Sequence, residues 1–383
     1  MEDYILQIPF NIPFITGKEL DYIRQALEQG ELAGGGHLSR EVASELASRL
    51  GARKVLFTTS CTSALEMAAI LAGVQEGQEV IMPSFTFVST ANAIVLRGAR
   101  PVFAEIDPET MNITGETVAN KISPHTRALI PVHYAGLPCE MDQLCSLASD
   151  RGLKIIEDAA HALFASLHGK AAGTWGNFGC FSFHATKNFI CGEGGAIAIN
   201  DEETMARAEI MWQKGTDREK FLRREVAFYS WQDIGSSYAP SELLVAFLKA
   251  QLDCARQIQQ TRQLLWETYA TELSPLMDEG LFRIQKLNPD AQSAYHIFYI
   301  LLPDENRRRQ VEEYLRGRGI GTAFHYVPLH LSPMGRRLGY QPGDLPITEK
   351  TAFSLLRLPL YPGLKENEQR YVIDEVKNAM ART

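Results

Sequence analysis

The chain has 383 residues, 45% of them apolar and 22% charged. That composition excludes extensive disorder and suits one large α/β domain with a smaller companion. Its 38 basic and 46 acidic side chains leave a net charge of −8, which argues against holding nucleic acid by general phosphate attraction but leaves room for a local basic pocket. No run approaches the roughly 18 apolar residues of a spanning helix, and the acidic start Met1-Glu2-Asp3 is unlike a signal peptide, so no membrane partner and a cytoplasmic location are expected.

Through the first 240 residues, short β-rich runs alternate with helical patterns. Strands are expected at 54–58 (KVLFT), 79–82 (EVIM), 101–104 (PVFA), 128–132 (ALIPV) and 154–157 (KIIE), with amphipathic helices near 62–73, 86–97, 114–122 and 139–151. Alternation at about 25-residue spacing is the pattern of βαβ units on a parallel sheet covered on both faces. After Gly173 two further strands are expected, 178–183 (FGCFSF) and 196–199 (AIAI), the second closed by an Asn200-Asp201 turn. Residues 241–272 form one long helical pattern that bridges to an α+β remainder. There 295–302 (YHIFYILL) reads as a strand, 307–317 as a helix and 367–380 as a closing helix. The expected organisation is a large α/β domain over 1–240 and a bridging helix with a small α+β domain over 241–383, closely packed.

The cysteines at 61, 139, 145, 180, 191 and 254 contain no C-x-x-C pair and are too sparse for a disulfide scaffold, so they read as free thiols. His325 and His330 stand five apart with Pro328 between them, which suits neither one helix face nor a zinc site. No metal is expected. The dinucleotide G-x-G-x-x-G after a strand, the P-loop, the G-x-S-x-G elbow and H-E-x-x-H are all missing.

Four features carry chemistry. Lys187 follows an apolar strand and precedes the loop Gly192-Glu193-Gly194-Gly195; a lysine delivered to an interior pocket has a lowered pKa and becomes a usable nucleophile, although a lysine near a strand end is ordinarily a solvated one. Asp158 closes KIIED at the carboxyl edge of a parallel strand, where open α/β sheets bind ligands; it could anchor a cation or cap the next helix. Thr59–Ala64 turns strand into helix and offers a helix N-terminus as a phosphate seat, or simply a cap. Phe85 and Phe87 follow a second strand edge, placed to stack on a flat ligand or to fill the core. One ligand with a phosphate, a flat π face, a ring nitrogen and an aldehyde satisfies all four: pyridoxal 5′-phosphate.

The motifs PSFTFVSTANAI (83–94), PVHYAG (131–136), EDAAH (157–161), GCFSFHATKN (179–188), GEGGA (192–196), HYVPLH (325–330) and LPLYPGL (358–364) run in order along the chain. In them the sequence resembles the DegT–DnrJ–StrS family of sugar-nucleotide aminotransferases. The resemblance implies the aspartate-aminotransferase-like fold type I of pyridoxal-phosphate enzymes. It also implies that Lys187 bonds the cofactor and shuttles the substrate proton, and that Asp158 keeps the pyridine nitrogen protonated so that the ring acts as an electron sink. Phe87 then matches the stacking aromatic and His161 a position near the ring oxygen. Cys61, Thr62 and Ser182 match phosphate donors. Where many members have an Asn reaching the phosphate from a neighbouring subunit, this chain has Ser237.

Within the family, FNIPFITGKELDYI near the start, TTSCTSALEMAA and IGSSY (234–238) resemble the enterobacterial common antigen branch, which aminates C4 of dTDP-4-keto-6-deoxyglucose with L-glutamate as donor. A homodimer with shared sites is implied. The alternatives are amination of another nucleotide-linked keto-sugar, at C3 or with gluco configuration, and a non-catalytic regulator on the same scaffold. A dehydratase of the family would have histidine in place of Lys187. His325 and His330 read either as sugar-pocket residues or as packing, as does His133 within its own family-like motif. Gly34-Gly35-Gly36 reads as a substrate loop or a flexible turn, and Arg218 and Arg223 as nucleotide contacts or a solvated face.

Overall fold

The computed structural model describes residues 6–382. Its central sheet has seven strands: β1 (Lys54–Thr58), β2 (Glu79–Pro83), β3 (Arg100–Ala104), β4 (Thr126–Leu129), β5 (Lys154–Asp158), β6 (Phe178–Ser182) and β7 (Gly195–Ile199). They lie in the order β1-β7-β6-β5-β4-β2-β3. Pairings are parallel from β6 through β5, β4 and β2 to β3, whereas β7 is antiparallel to both of its neighbours. Six strands therefore end on one edge of the sheet, and β7 begins there. Every β-to-α turn that can hold a ligand collects on that edge.

The first four helices are α1 (Glu19–Gln29), α2 (His37–Leu50), α3 (Cys61–Leu71) and α4 (Val88–Val95), of which α3 and α4 begin at this edge. α3 buries Ala64, Leu65, Met67, Ala68, Ala69 and Leu71, more than one stripe, because it is covered by other helices as well as by the sheet. Its N-terminus packs so closely on the start of β7 that a Cβ on Gly195 would stand 2.4 Å from the Cys61 nitrogen. Only glycine lets the two elements meet there.

Most expected elements shift by one to three residues at their ends, and three differ for a reason visible in the chain. The run 128–132 stops as a ladder at Leu129, because Pro131 has no N–H to donate; Val132 then makes a single bridge to Asp158. The 241–272 pattern is two helices, Glu242–Asp253 and Ala255–Glu272, joined at Cys254. Together they serve two cores: Leu248, Leu252, Ala255 and Ile258 pack beneath the sheet, while Leu265, Trp266 and Tyr269 enter a separate C-terminal cluster. The run 295–302 is a strand only over β8 (Phe298–Leu301), since Tyr295 sits at φ 48 and breaks the extended chain. β8 pairs antiparallel with β9 (Leu355–Leu358). Helices Glu305–Gly317 and Glu366–Arg382 cover this pair through Val311, Leu315, Val372 and Val376. Ile8 bridges to Ile320, bringing the chain start onto the same cluster. No helix among the described residues is long and apolar enough to cross a membrane, and no group of His, Cys, Asp and Glu among them could hold a metal ion.

Candidate active site

A cavity of about 630 Å³ opens at the shared strand edge. Cys61, Thr62, Phe87, Asp158, His161, Ser182 and Lys187 all line it, so the structure brings together seven of the eight residues singled out from the sequence.

Each arrives by a local device. Ser60 caps α3 by accepting from the Ser63 N–H at 3.1 Å, which leaves the Cys61 and Thr62 N–H groups without an acceptor among the described residues. The Thr62 hydroxyl lies 2.7 Å from that of Ser89, in the first turn of α4. Two helix N-termini thus converge on one spot with unused donors, a seat for an anion. Phe87 is the N-cap residue of α4 and remains 57% exposed at the rim, where its ring can cover a flat ligand. Ser182 ends β6.

Asp158, the last residue of β5, is buried and accepts from the Thr90 hydroxyl at 2.8 Å and the Ala160 N–H at 3.2 Å. Burial raises its pKa, and the Thr90 bond opposes the rise. Lys187 sits on a loop fastened by Asn188, which donates to the Ala294 carbonyl at 2.7 Å and meets His296 Nδ1 at 2.7 Å. The Lys187 amine has no hydrogen bond or ion pair with the described residues. Burial and the nearby Arg357 charge bring it down to about 8, against the opposing pull of Cys61 and Asp158. At that value about one amine in ten is free base at pH 7, against fewer than about one in a thousand for an ordinary lysine, which makes Lys187 a usable nucleophile and proton carrier. His161 is pushed well below its ordinary range, chiefly by burial, so it is neutral; its Nδ1 is buried without a partner.

The remaining readings divide. Ser237 lies outside this cavity, exposed and bridged by its backbone to Gln213, although the neighbouring Tyr238 carbonyl accepts from the Thr59 N–H next to α3. His325 lines the cavity, whereas His330 is fully buried between Ser84 at 2.7 Å and Glu349 at 3.0 Å. His133 is likewise a buried brace, bonded to Glu157 at 2.9 Å. Gly34 packs against Ala239 and Pro240, and Gly36 donates to Glu242. Arg223 pairs with Glu209 and Glu225, and Arg218 meets Gln213. None of these last residues reaches the cavity. Sequence reasoning did not single out Ser89, Thr90, Phe324 or Tyr326, all of which line it. The hydroxyl spacing in SFTFVST was a signal for the first two; the other two come from a distant loop.

The residues fit pyridoxal phosphate. Unused N–H groups stand at a helix-end anion seat, a buried carboxylate waits for a cationic ring nitrogen, and a depressed lysine and an exposed ring border the same cavity. Residues 13–377 match the family model described as the DegT/DnrJ/EryC1/StrS aminotransferase family. The spore coat polysaccharide biosynthesis protein SpsC of Bacillus subtilis is 32% identical over 380 residues, covering 97% of this chain and 96% of its own. The aminotransferase TlmJ of Streptoalloteichus hindustanus superposes with a TM-score of 0.91 at 31% identity over 98% of this chain and 100% of its own. The pyridoxal-phosphate form of the sugar aminotransferase Spr1654 of Streptococcus pneumoniae gives 0.90 at 25% identity, over 98% and 99%. The large mostly parallel sheet is that of fold type I.

Proposed function

Because the chain belongs to the DegT/DnrJ/EryC1/StrS aminotransferase family and is a pyridoxal-phosphate-dependent sugar aminotransferase, we propose that it moves an amino group from L-glutamate to C4 of dTDP-4-keto-6-deoxy-D-glucose. The products are dTDP-4-amino-4,6-dideoxy-D-galactose and 2-oxoglutarate. The observation that carries the transamination chemistry is the meeting of Lys187 and Asp158 in one cavity. The substrate reading rests on the likeness of residues 10–23, 58–69 and 234–238 to the common-antigen branch.

When bound, pyridoxal phosphate supplies the carbonyl that captures the amino group and the ring that takes up electrons from the reacting carbon. The chain does the rest. The N-termini of α3 and α4, with the Thr62 and Ser182 hydroxyls, hold the phosphate. Phe87 covers the ring face. Asp158 keeps a proton on the ring nitrogen, and Thr90 holds the carboxylate ionised and aimed. Lys187 removes the α-proton of the amino acid and later returns a proton to the sugar carbon. His161, neutral, offers a hydrogen-bonding nitrogen near the ring oxygen. Residues 1–240 form the cofactor-holding part, and 241–383 a smaller part that closes the cavity with His325 and Tyr326. Two copies share their sites: Ser237 follows an exposed loop carrying Phe228 (79% exposed) and Trp231 (81%) and meets the partner's phosphate seat. We place the reaction in the cytoplasm.

The test is product analysis. Enzyme, glutamate and dTDP-4-keto-6-deoxyglucose, or its 3-keto isomer, are incubated and the amino sugar is identified by NMR. A 4-amino galacto product supports the reading; exclusive C3 amination or a gluco product overturns it.

A further inference from the structure

A second cavity of about 630 Å³ lies between the loop after β3 and the C-terminal β8–β9 pair. It shares no lining residue with the active-site cavity. Local chemistry keeps its walls apart. Pro303 has no N–H with which to extend the β8 ladder, and Pro346 opens helix Pro346–Ser354, where a missing N–H costs nothing. Glu105, just past β3, fastens that helix start by accepting from the Ile347 N–H at 3.1 Å and the Thr348 N–H at 2.7 Å. The gap left between these elements is walled by Pro108, Leu301, Leu302, Pro303 and Ile347.

The polar side chains of this wall are all of one kind. Thr351 and Ser354 stand three apart on one face of the helix and are only 5% and 4% exposed. Both line the cavity, and neither hydroxyl has a hydrogen-bond partner among the described residues. The remaining buried hydroxyl of the helix, on Thr348, is taken by Glu105, so the two left over are the two that open into the cavity. Arg283 and Lys350 also line it, exposed and without an ion pair among the described residues. No aspartate or glutamate joins them there, although acidic side chains outnumber basic ones by 46 to 38 in the chain.

Guanidinium and ammonium groups can only donate hydrogen bonds, and a hydroxyl can donate as well as accept. Four such groups among apolar walls, with no carboxylate beside them, suit a ligand that is negative at one end and apolar along the rest. The volume is that of a small-molecule site. We propose that this cavity binds a small organic anion, a carboxylate or phosphate monoester on an apolar body, at a site separate from the catalytic one. The walls cover the body of the ligand, Arg283 and Lys350 draw in its charge, and the Thr351 and Ser354 hydroxyls bond its oxygens.

The experiment follows the fluorescence of anilinonaphthalenesulfonate, itself an anion on an apolar body, added to holoenzyme with dTDP present to fill the acceptor's own site. Octanoate, octyl phosphate and neutral octanol then compete with the dye. In the wild type the dye saturates at one per chain, at least one of the two anions displaces it, and octanol does so more weakly; the tighter anion identifies the head group. Removing two exposed cations in R283Q/K350Q raises the Kd of the dye and of the anions about fivefold or more while leaving that of octanol within about twofold. S354L, which fills the cavity from its inner wall, weakens octanol and the anions alike. The double variant alters only exposed side chains, so it remains a test even where S354L fails to fold. A wild type that does not bind the dye, octanol matching both anions, or a double variant that binds the anions as the wild type does overturns the proposal.

Discussion

Thr90→Val tests how Asp158 is held. The two side chains have nearly the same shape, so the substitution removes one hydroxyl donor, 2.8 Å from the Asp158 carboxylate, and little packing. A hydrogen bond to a charged group contributes about 1.5–3 kcal/mol, so its loss raises the Asp158 pKa further. Burial already holds that pKa above its unfolded value, so ionising Asp158 in the fold costs stability at neutral pH. That cost vanishes below the unfolded value, where folded and unfolded chains are both protonated. The variant therefore loses about 1.5–3 kcal/mol at pH 7 and progressively less towards pH 4, beyond a pH-independent loss from the Thr86 hydroxyl, which also bonds Thr90 at 2.8 Å. Urea unfolding of the cofactor-free protein across that range measures the stability change. The acid limb of kcat/KM for the holoenzyme moves upward with the Asp158 pKa. A stability loss independent of pH, together with an unmoved acid limb, would refute the account of Asp158.

In the cofactor-free protein, amine labelling of Lys187 should show a midpoint near about 8, against 10.5 for an ordinary lysine. Reactivity rises through that pH because the depressed value places the free base there, and a midpoint above 10 contradicts the buried setting. Lys187→Ala should abolish turnover and the absorption band of lysine-bound cofactor while leaving the fold intact by circular dichroism; residual turnover within tenfold of wild type removes Lys187 from its role. Gly195→Ala forces the β7–α3 contact apart, since its Cβ would stand 2.4 Å from the Cys61 nitrogen, and should raise the cofactor Kd by about tenfold or more in an absorbance titration. The proposed dimer predicts that Trp231→Glu, on the exposed loop before Ser237, sediments as a lighter species than wild type; an unchanged sedimentation coefficient removes this loop from the interface.

The sheet was readable because its signal is local. KVLFT, EVIM and KIIED are apolar runs bounded by breakers, and they fold within one or two residues of where their patterns place them. The bounds failed where a local rule met a neighbour: Pro131 ends a ladder that its apolar flanks would continue, and the helix pattern of 241–272 bends at Cys254 as it passes from one core to the next. Lys187, Asp158 and the α3 turn could be singled out because each sits at the end of a predicted strand, where chemistry on such sheets collects. Family-like motifs marked the others, and they brought in residues of unlike fate: His325 reaches the cavity, while His133 and His330 became buried braces.

Residue order alone dictates the alternation that makes a parallel sheet and the identities of the lysine, the acid and the small hydroxyl residues at its edge. Periodicity and turn chemistry act over a few residues, so a linear reading captures them. Only in the folded chain does Thr90 hold Asp158 from 68 positions away, and only there does the β7 glycine let α3 present its unused N–H groups at the sheet edge. Burial and distance set the pKa of Lys187 and the charge state of His161. Both quantities exist only once the chain has excluded water from the cavity.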